Sequence, residues 1–258
     1  MVYFVGAGAG DAELLTIKGA KILSRADTVI WAGSLVNPDV LLNCKKDAKI
    51  FDSSKMTLFE TTNVLCNAEK NGELSVRLHT GDPSLYGAIA EQIAELKKRE
   101  IPFKIVPGVS SLFGAAASLG VEFTIPTVSQ SLIISRISGQ TPVPERENLC
   151  ELSKSGASLA IFLSASRIFD VVKEILAGGT FTQKTPAAVV YRATWADEKI
   201  IRGTLFDIAQ KTQDAKIEKQ AIIFVGDFLN QRGEKSRLYD ENFSTSFRKS
   251  KNNEENRF

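Results

Sequence analysis

Residues 1–11 read MVYFVGAGAGD: a short apolar run, Val2–Val5, then three glycines in five positions, Gly6, Gly8 and Gly10. A β-type run that breaks into glycines marks a strand whose C-terminal loop leaves its backbone open to close approach. A dinucleotide loop spaces its glycines as G-x-G-x-x-G. The first turns the chain, the second admits pyrophosphate and the third packs helix on strand. Gly6 and Gly8 match the first two places, but Asp11 holds the third, and a carboxylate there repels pyrophosphate. The acidic residue expected about 20 positions on to hold a ribose is also misplaced, because Asp27 precedes the second strand. Two readings remain: a plain tight turn, or a loop that admits an uncharged or cationic ligand.

Two further turns have the same setting. RLHTGDPSLYG, residues 77–87, ends a strand at His79 and puts Gly81 and Asp82 at its C-terminal end, where open α/β sheets place ligands. Asp82 is read either as the cap of a helix from Ser84, with Pro83 at its first position, or as a chemical group. VPGVSS, residues 106–111, follows another strand and opens an alanine-rich helix. Three such turns on one sheet edge predict one pocket.

Between them the chain alternates. Strands are expected at Val2–Val5, Thr28–Trp31, Ile50–Phe51, Leu74–Leu78 and Phe103–Val106. Helices are expected from Thr16, from Thr57 to about Ala68 with Glu60 completing a capping box, over Ser84–Arg99 and over Ser110–Leu119. Alternation of this kind builds a parallel sheet covered by helices. The second half carries strands at Leu132–Ser135, Leu159–Leu163, Ala187–Tyr191, Lys199–Gly203 and Ala221–Val225, with helices at Ile168–Leu176 and Leu205–Thr212. Trp195–Glu198 reads as a hairpin turn, which makes this sheet mixed. The expected organisation is an N-terminal α/β domain over 1–120, a C-terminal α/β domain over 121–230 and a polar tail over 231–258.

The 258 residues are 43% hydrophobic with a formal net charge of +2, enough for a sizeable core and too balanced for a strong nucleic-acid field. No window approaches the roughly 20 apolar residues that span a bilayer, and the opening run has no basic flank or cleavage site. Cys44, Cys66 and Cys150 form no CxxC, and His79 is the only histidine. These features predict a cytoplasmic protein with no bound metal, no membrane and no nucleic-acid partner. His79 is read as a structural histidine, although its ordinary pKa lies near neutrality.

VGAGAGD, RLHTGDPSLYG and VPGVSS together resemble the motifs of the tetrapyrrole (corrin/porphyrin) methylases, most closely the subgroup acting at C11 of precorrin-4. The resemblance continues through WAGSLV (31–36), SKMTL (54–58), EFTIPTVSQSLIISR (122–136), GQTPVPE (139–145), AVVYRATWADEKIIRGTL (188–205) and SRLYD (236–240). It departs where the family has proline at Ala9 and arginine at Gln140. An arginine there holds a carboxylate as a bidentate pair, so the departure bears on substrate grip.

The resemblance implies two α/β domains, the first mostly parallel and the second mixed, with S-adenosylmethionine in the cleft between them and S-adenosylhomocysteine as product. It implies cofactor contacts from Ala9, Thr80, Gly81, Asp82, Leu85, Ser110 and Ser111, and, from the second domain, Leu163 and Ala193. Leu85 and Leu163 are read equally well as core. Substrate carboxylates are expected at Arg136, Arg192 and Gln140, while Arg77 and Lys199 are read as surface charges. The ring carbon is itself the nucleophile, so no acid or base is demanded; Asp82 and Glu122 are the candidates if one helps. The implied activity is methyl transfer to C11 of precorrin-4 or cobalt-precorrin-4 in cobalamin biosynthesis, by a homodimer. Uroporphyrinogen III or another precorrin is the alternative substrate. A non-catalytic tetrapyrrole binder and a nicotinamide dehydrogenase are readings of other classes, and Asp11 counts against the last.

Overall fold

A computed structural model describes residues 1–231, 233, 234, 236 and 240–250. Most of the SRLYD segment and the last eight residues of the tail lie outside the described residues. The chain forms two compact units: Met1–Gly120 with Val190–Ile200 and Ile217–Ile222, and Val121–Val189 with Ile201–Lys216 and Ile223–Phe258.

The first unit is built on β1 (Val2–Gly6), β2 (Thr28–Trp31), β3 (Lys49–Asp52), β4 (Ser75–His79) and β5 (Phe103–Val106). They lie in the order β3-β2-β4-β1-β5, and every recorded pairing is parallel. Helices α1 (Ile17–Leu23), α2 (Leu58–Lys70), α3 (Ile89–Lys98) and α4 (Ser111–Leu119) join them. Side chains alternate across the sheet, so each face has its own core. Val5, Val29, Val76, Leu78 and Val106 pack with Leu15 and Leu23 on one face. Val2, Phe4 and Ile30 pack with Leu65 of α2 and Leu96 of α3 on the other.

Local chemistry starts and stops these helices. Thr16 accepts from the N–H of Gly19 and caps α1. At α2 the Thr57 hydroxyl accepts from Glu60 N at 3.2 Å while the Glu60 carboxylate accepts from Thr57 N at 2.7 Å, a complete capping box. Ser110 caps α4, and Gly120 ends it at φ 67°, in the left-handed region that suits glycine.

Two expected helices begin later than their periodicity predicts. Residues 84–88 form a tight turn, with Tyr86 at φ 54° and Ala88 at φ 49°, and α3 starts only at Ile89. Asp82 therefore caps a turn rather than a helix: its carboxylate accepts from Ser84 N at 2.8 Å. The Asp207 carboxylate accepts from Thr204 N at 2.8 Å in a similar turn, so α7 spans Ile208–Asp214 instead of starting at Leu205.

The second sheet holds β6 (Leu132–Arg136), β7 (Ser158–Phe162), β8 (Pro186–Tyr191), β9 (Lys199–Thr204) and β10 (Ala221–Val225), in the order β6-β7-β10-β8-β9. β6 runs parallel to β7 and β10 antiparallel to it, so the sheet is mixed, as the hairpin turn requires. Helices α5 (Leu149–Ser153) and α6 (Ile168–Ala177) precede α7. Phe123, Phe224 and Phe228 form an aromatic cluster, with Phe123 5.8 Å from Phe224 and 5.3 Å from Phe228 between ring centroids. Residues 240–250 carry no helix or strand.

One stripe of β4 departs from the apolar rule. Ser75, Arg77 and His79 alternate with Val76 and Leu78 and point to the face covered by α2 and α3. Arg77 is only 7% exposed, which corrects its reading as a surface charge. It donates to Gln92 Oε1 at 3.1 Å and to the carbonyls of Ile30 and Leu78, both at 3.3 Å. Burial lowers its pKa to about 10, so it stays charged at neutral pH. His79 is 4% exposed and stacks on Phe4 at 5.9 Å. Burial, and then the neighbouring Arg77 charge, push its pKa down to about 3. Below the ordinary value of 6.5 the unfolded chain takes up a proton that the folded chain refuses, so stability falls as pH drops from 6.5 toward 3. Urea unfolding is expected to lose about 1 kcal/mol between pH 6.5 and 5.5, above the range where carboxylates titrate. The His79→Leu variant is expected to be flat over that interval; an unchanged slope contradicts this assignment.

Candidate functional site

The loops after β1, β4 and β5 leave one edge of the parallel sheet. β1 connects through α1 toward β2, while β4 connects through α3 toward β5 on its other side. Adjacent strands whose connections diverge mark the switch point of an open α/β sheet, where ligands bind beyond the strand ends. Here the divergence lies between β2, which leads to β3 on one side, and β4, which leads past β1 to β5 on the other, and the β1 loop lies next to that of β4.

Three glycines make contact there. A β-carbon on Gly6 would lie 2.5 Å from the Gly81 carbonyl oxygen and 2.6 Å from the Gly108 backbone. Gly8 and Gly81 form an isolated bridge, with Gly81 N donating to Gly8 O at 2.9 Å. Ala7 N donates to His79 O at 2.7 Å. Asp82 ties the third loop in: its carboxylate accepts from Gly108 N at 2.9 Å as well as from Ser84 N. Burial alone would raise the Asp82 pKa, but those two N–H donors outweigh it and hold the carboxyl below its ordinary value. Ser110 Cα and Ser111 N lie 3.4 Å from where a β-carbon on Gly81 would point. Asp11 caps a short 3-10 turn over Ala12–Leu14 by accepting from Glu13 N at 2.9 Å.

The turn after β8, residues 191–198, belongs to the same unit and packs on the first glycine loop. Ala193 was expected from the second domain; it packs instead with Ala9 and Thr194 around Gly114 of α4. A β-carbon on Gly10 would meet the Ala193 carbonyl at 2.5 Å and the Trp195 indole at 2.6 Å. Asp11 N donates to the Thr194 hydroxyl at 2.9 Å. Arg192 and Thr194 both adopt positive φ, 48° and 66°, which is costly for a β-branched residue. Their neighbours hold them there. Glu198 Oε2 accepts from Thr194 N and from the Ser118 hydroxyl, each at 2.6 Å. Gln220 accepts from Arg192 Nε at 2.8 Å and donates to Ser34 O at 2.7 Å. Asn37 donates to Gly10 O at 3.0 Å, and the Asp52 carboxylate accepts from Gly33 N at 3.1 Å. The WAGSLV segment and the Asn37 that follows it are thus tied, through Gln220 and Gly10, to both turns.

Of the expected cofactor contacts, Ala9, Gly81, Asp82, Ser110, Ser111 and Ala193 therefore come together. Thr80 adjoins them, its hydroxyl 3.5 Å from Leu35 O, and Leu85 lies in the tight turn, its N–H donating to Asp82 O. Arg192 is already engaged: Asp197 accepts from it at 2.7 Å, and its guanidinium lies 4.8 Å from the Trp195 ring centre. Asn37, Asp52, Ser118, Glu198 and Gln220 were not foreseen as site residues. Ser118 and Glu198 are 80 positions apart and Gln220 and Ser34 are 186 apart, and no local pattern signals pairs so remote.

In the second unit, Leu163 stands at the C-terminal end of β7 with φ 53° and 67% exposure. Ser164 behind it donates to Phe162 O at 2.6 Å and accepts from Ile137 N at 2.9 Å. Arg136 ends β6 opposite Phe162, so the loop bearing Gln140 leaves the same edge as Leu163. Arg136 donates to the carbonyls of Thr141 at 2.9 Å, Pro142 at 3.0 Å and Ile137 at 3.3 Å, and Arg167 donates to Ser138 O in the same loop. Gln140 and Glu122 are exposed; the Glu122 carboxylate accepts from the Thr124 hydroxyl at 3.1 Å. Among the described residues no group of three or more His, Cys, Asp or Glu is placed to hold a metal ion, and no helix is long and apolar enough to cross a membrane.

These turns and sheets define a family. The model of the tetrapyrrole (corrin/porphyrin) methylases matches residues 1–209, and the chain belongs to that family. A cobalt-precorrin-4 C(11)-methyltransferase of Methanocaldococcus jannaschii is 54% identical over 250 residues, 96% of each chain. A precorrin-4 C(11)-methyltransferase of Mycobacterium tuberculosis is 42% identical, over 90% of this chain and 92% of that one. Among solved structures, the X-ray structure of a cobalt precorrin-4 methyltransferase is similar with a TM-score of 0.85 and 43% identity, over 88% of this chain and 95% of that one.

The glycine contact is directly testable. Gly6→Ala forces the β1, β4 and β5 loops apart and is expected to cost about 1–3 kcal/mol in urea unfolding. It is also expected to weaken ligand binding at the turns; a variant as stable as the parent contradicts the contact.

Proposed function

We propose that this chain transfers a methyl group from S-adenosylmethionine to C11 of cobalt-precorrin-4 or precorrin-4, releasing S-adenosylhomocysteine, in cobalamin biosynthesis. The observation that carries this reading is the 54% identity, across 96% of both lengths, with a relative named for that reaction. The relative at 54% is named for the cobalt-loaded substrate, and relatives at 42% are named for either form.

The chemistry of the turns fits a sulfonium ligand. VGAGAGD, TGDPS and VPGVSS contain no lysine or arginine, and Asp82 is held ionised. When bound, the donor supplies an already activated methyl group. Backbone N–H and C=O groups of Ala9, Thr80–Asp82, Ser110, Ser111 and Ala193 suit its amino-acid and adenosyl parts, and Leu85 offers apolar surface to a base. Holding donor and acceptor in line is worth on the order of 7–11 kcal/mol without any acid or base. The electron-rich ring carbon is the nucleophile; if a group takes up its proton, Asp82 and Glu122 are the candidates.

The substrate's many carboxylates call for cations. Arg192 can accept one by exchanging it for Asp197, while Arg136 acts by fixing the loop that presents Gln140. The reading includes a homodimer in the cytoplasm, supported by the family resemblance and by the exposed Phe59, Phe113 and Phe206.

The test is incubation with isotope-labelled donor and, separately, cobalt-precorrin-4, precorrin-4 and uroporphyrinogen III, with NMR of the products. Label at C11 of cobalt-precorrin-4 is expected. Label on uroporphyrinogen III alone, or on none of the three, contradicts the proposal.

A further inference from the structure

We infer that Glu198 is a positioning residue for the methyl donor: it acts through Thr194 to hold the wall formed by Ala193 against the first glycine loop. The inference rests on the proposed methyltransferase activity.

The geometry is a chain of three links. Ser118, in α4, donates its hydroxyl to Glu198 Oε2 at 2.6 Å. The same oxygen accepts Thr194 N–H at 2.6 Å. The Thr194 hydroxyl in turn accepts Asp11 N–H at 2.9 Å, at the end of the glycine loop. Bonds to an ionised acceptor are stronger than neutral ones, and these two are short. They hold a β-branched residue at φ 66°, a conformation that relaxes unless its surroundings impose it. The neighbouring Ala193 is 5% exposed and faces Ala9 across Gly114. A relaxed Thr194 carries Ala193 away from Ala9, and both were singled out as donor contacts. Glu198 itself belongs to the turn's scaffold, and its effect reaches the ligand only through that backbone.

A role in general stability and a role in donor placement differ in what they move. Glu198→Ala leaves Thr194 N–H without its acceptor and is expected to weaken S-adenosylhomocysteine binding about tenfold by calorimetry. The KM for the methyl donor is expected to rise in step, while kcat and the KM for the tetrapyrrole change little. Glu198→Gln keeps a neutral acceptor and is expected to fall between parent and alanine variant. Ser118→Ala leaves the carboxylate in place, removes one of its two donors, and is expected to move donor affinity the same way by less. It carries the test if Glu198→Ala does not fold.

Donor affinity unchanged in the folded variants overturns the inference. So does an equal loss for donor and tetrapyrrole. A parent protein that does not bind S-adenosylhomocysteine overturns the functional reading itself, which is a separate outcome.

Discussion

The first unit depends on backbone touching backbone at the ends of β1, β4 and β5. Gly6, Gly81 and Gly108 approach so closely that no β-carbon fits on Gly6 or Gly108. That contact lets three loops share one sheet edge, and the Asp82 carboxylate secures it by bonding across to Gly108 N. Dispersion between such small groups is weak per atom. The hydrogen bonds among the loops and the cores on either sheet face therefore supply the stability, and the glycines supply the geometry.

A site assembled this way is rich in peptide groups and poor in charged side chains. That suits a ligand whose own charge is positive and is lost on reaction, because a fixed and weakly charged wall need not reorganise when the charge disappears. The strained turn at residues 192–194 extends the same logic. Its left-handed residues give the backbone a path that extended chain would not follow, and Glu198, Gln220 and Asp11 hold it there. On the proposed reading, function at this site is set by where the main chain runs, and side chains determine that route.

Much of this was legible from local pattern. The strands of both sheets, the Thr57 and Glu60 capping box and the mixed second sheet follow from periodicity and near-neighbour chemistry. The three glycine turns could be assigned to one edge because each follows a strand of a parallel sheet. Other features have no local signal. The tight turn at 84–88 interrupts a helical period because Tyr86 and Ala88 turn left-handed. Arg77 occupies an alternating strand that reads as half-exposed, yet α2 and α3 cover that face. Ala193 packs beside Ala9, 184 positions earlier by their numbers, and the tethers that place it join residues remote in the chain. Family resemblance named Ala193 as a site residue; it did not reveal Glu198 or Gln220, which hold its turn.

The central claim is that main-chain groups of these turns grip the methyl donor. The most direct measurement is residue-resolved amide hydrogen exchange with and without S-adenosylhomocysteine. Protection is predicted to rise together at residues 7–10, 80–84, 108–111 and 193–195. Binding that leaves those amides unchanged, or that protects a different region of the chain, contradicts the account.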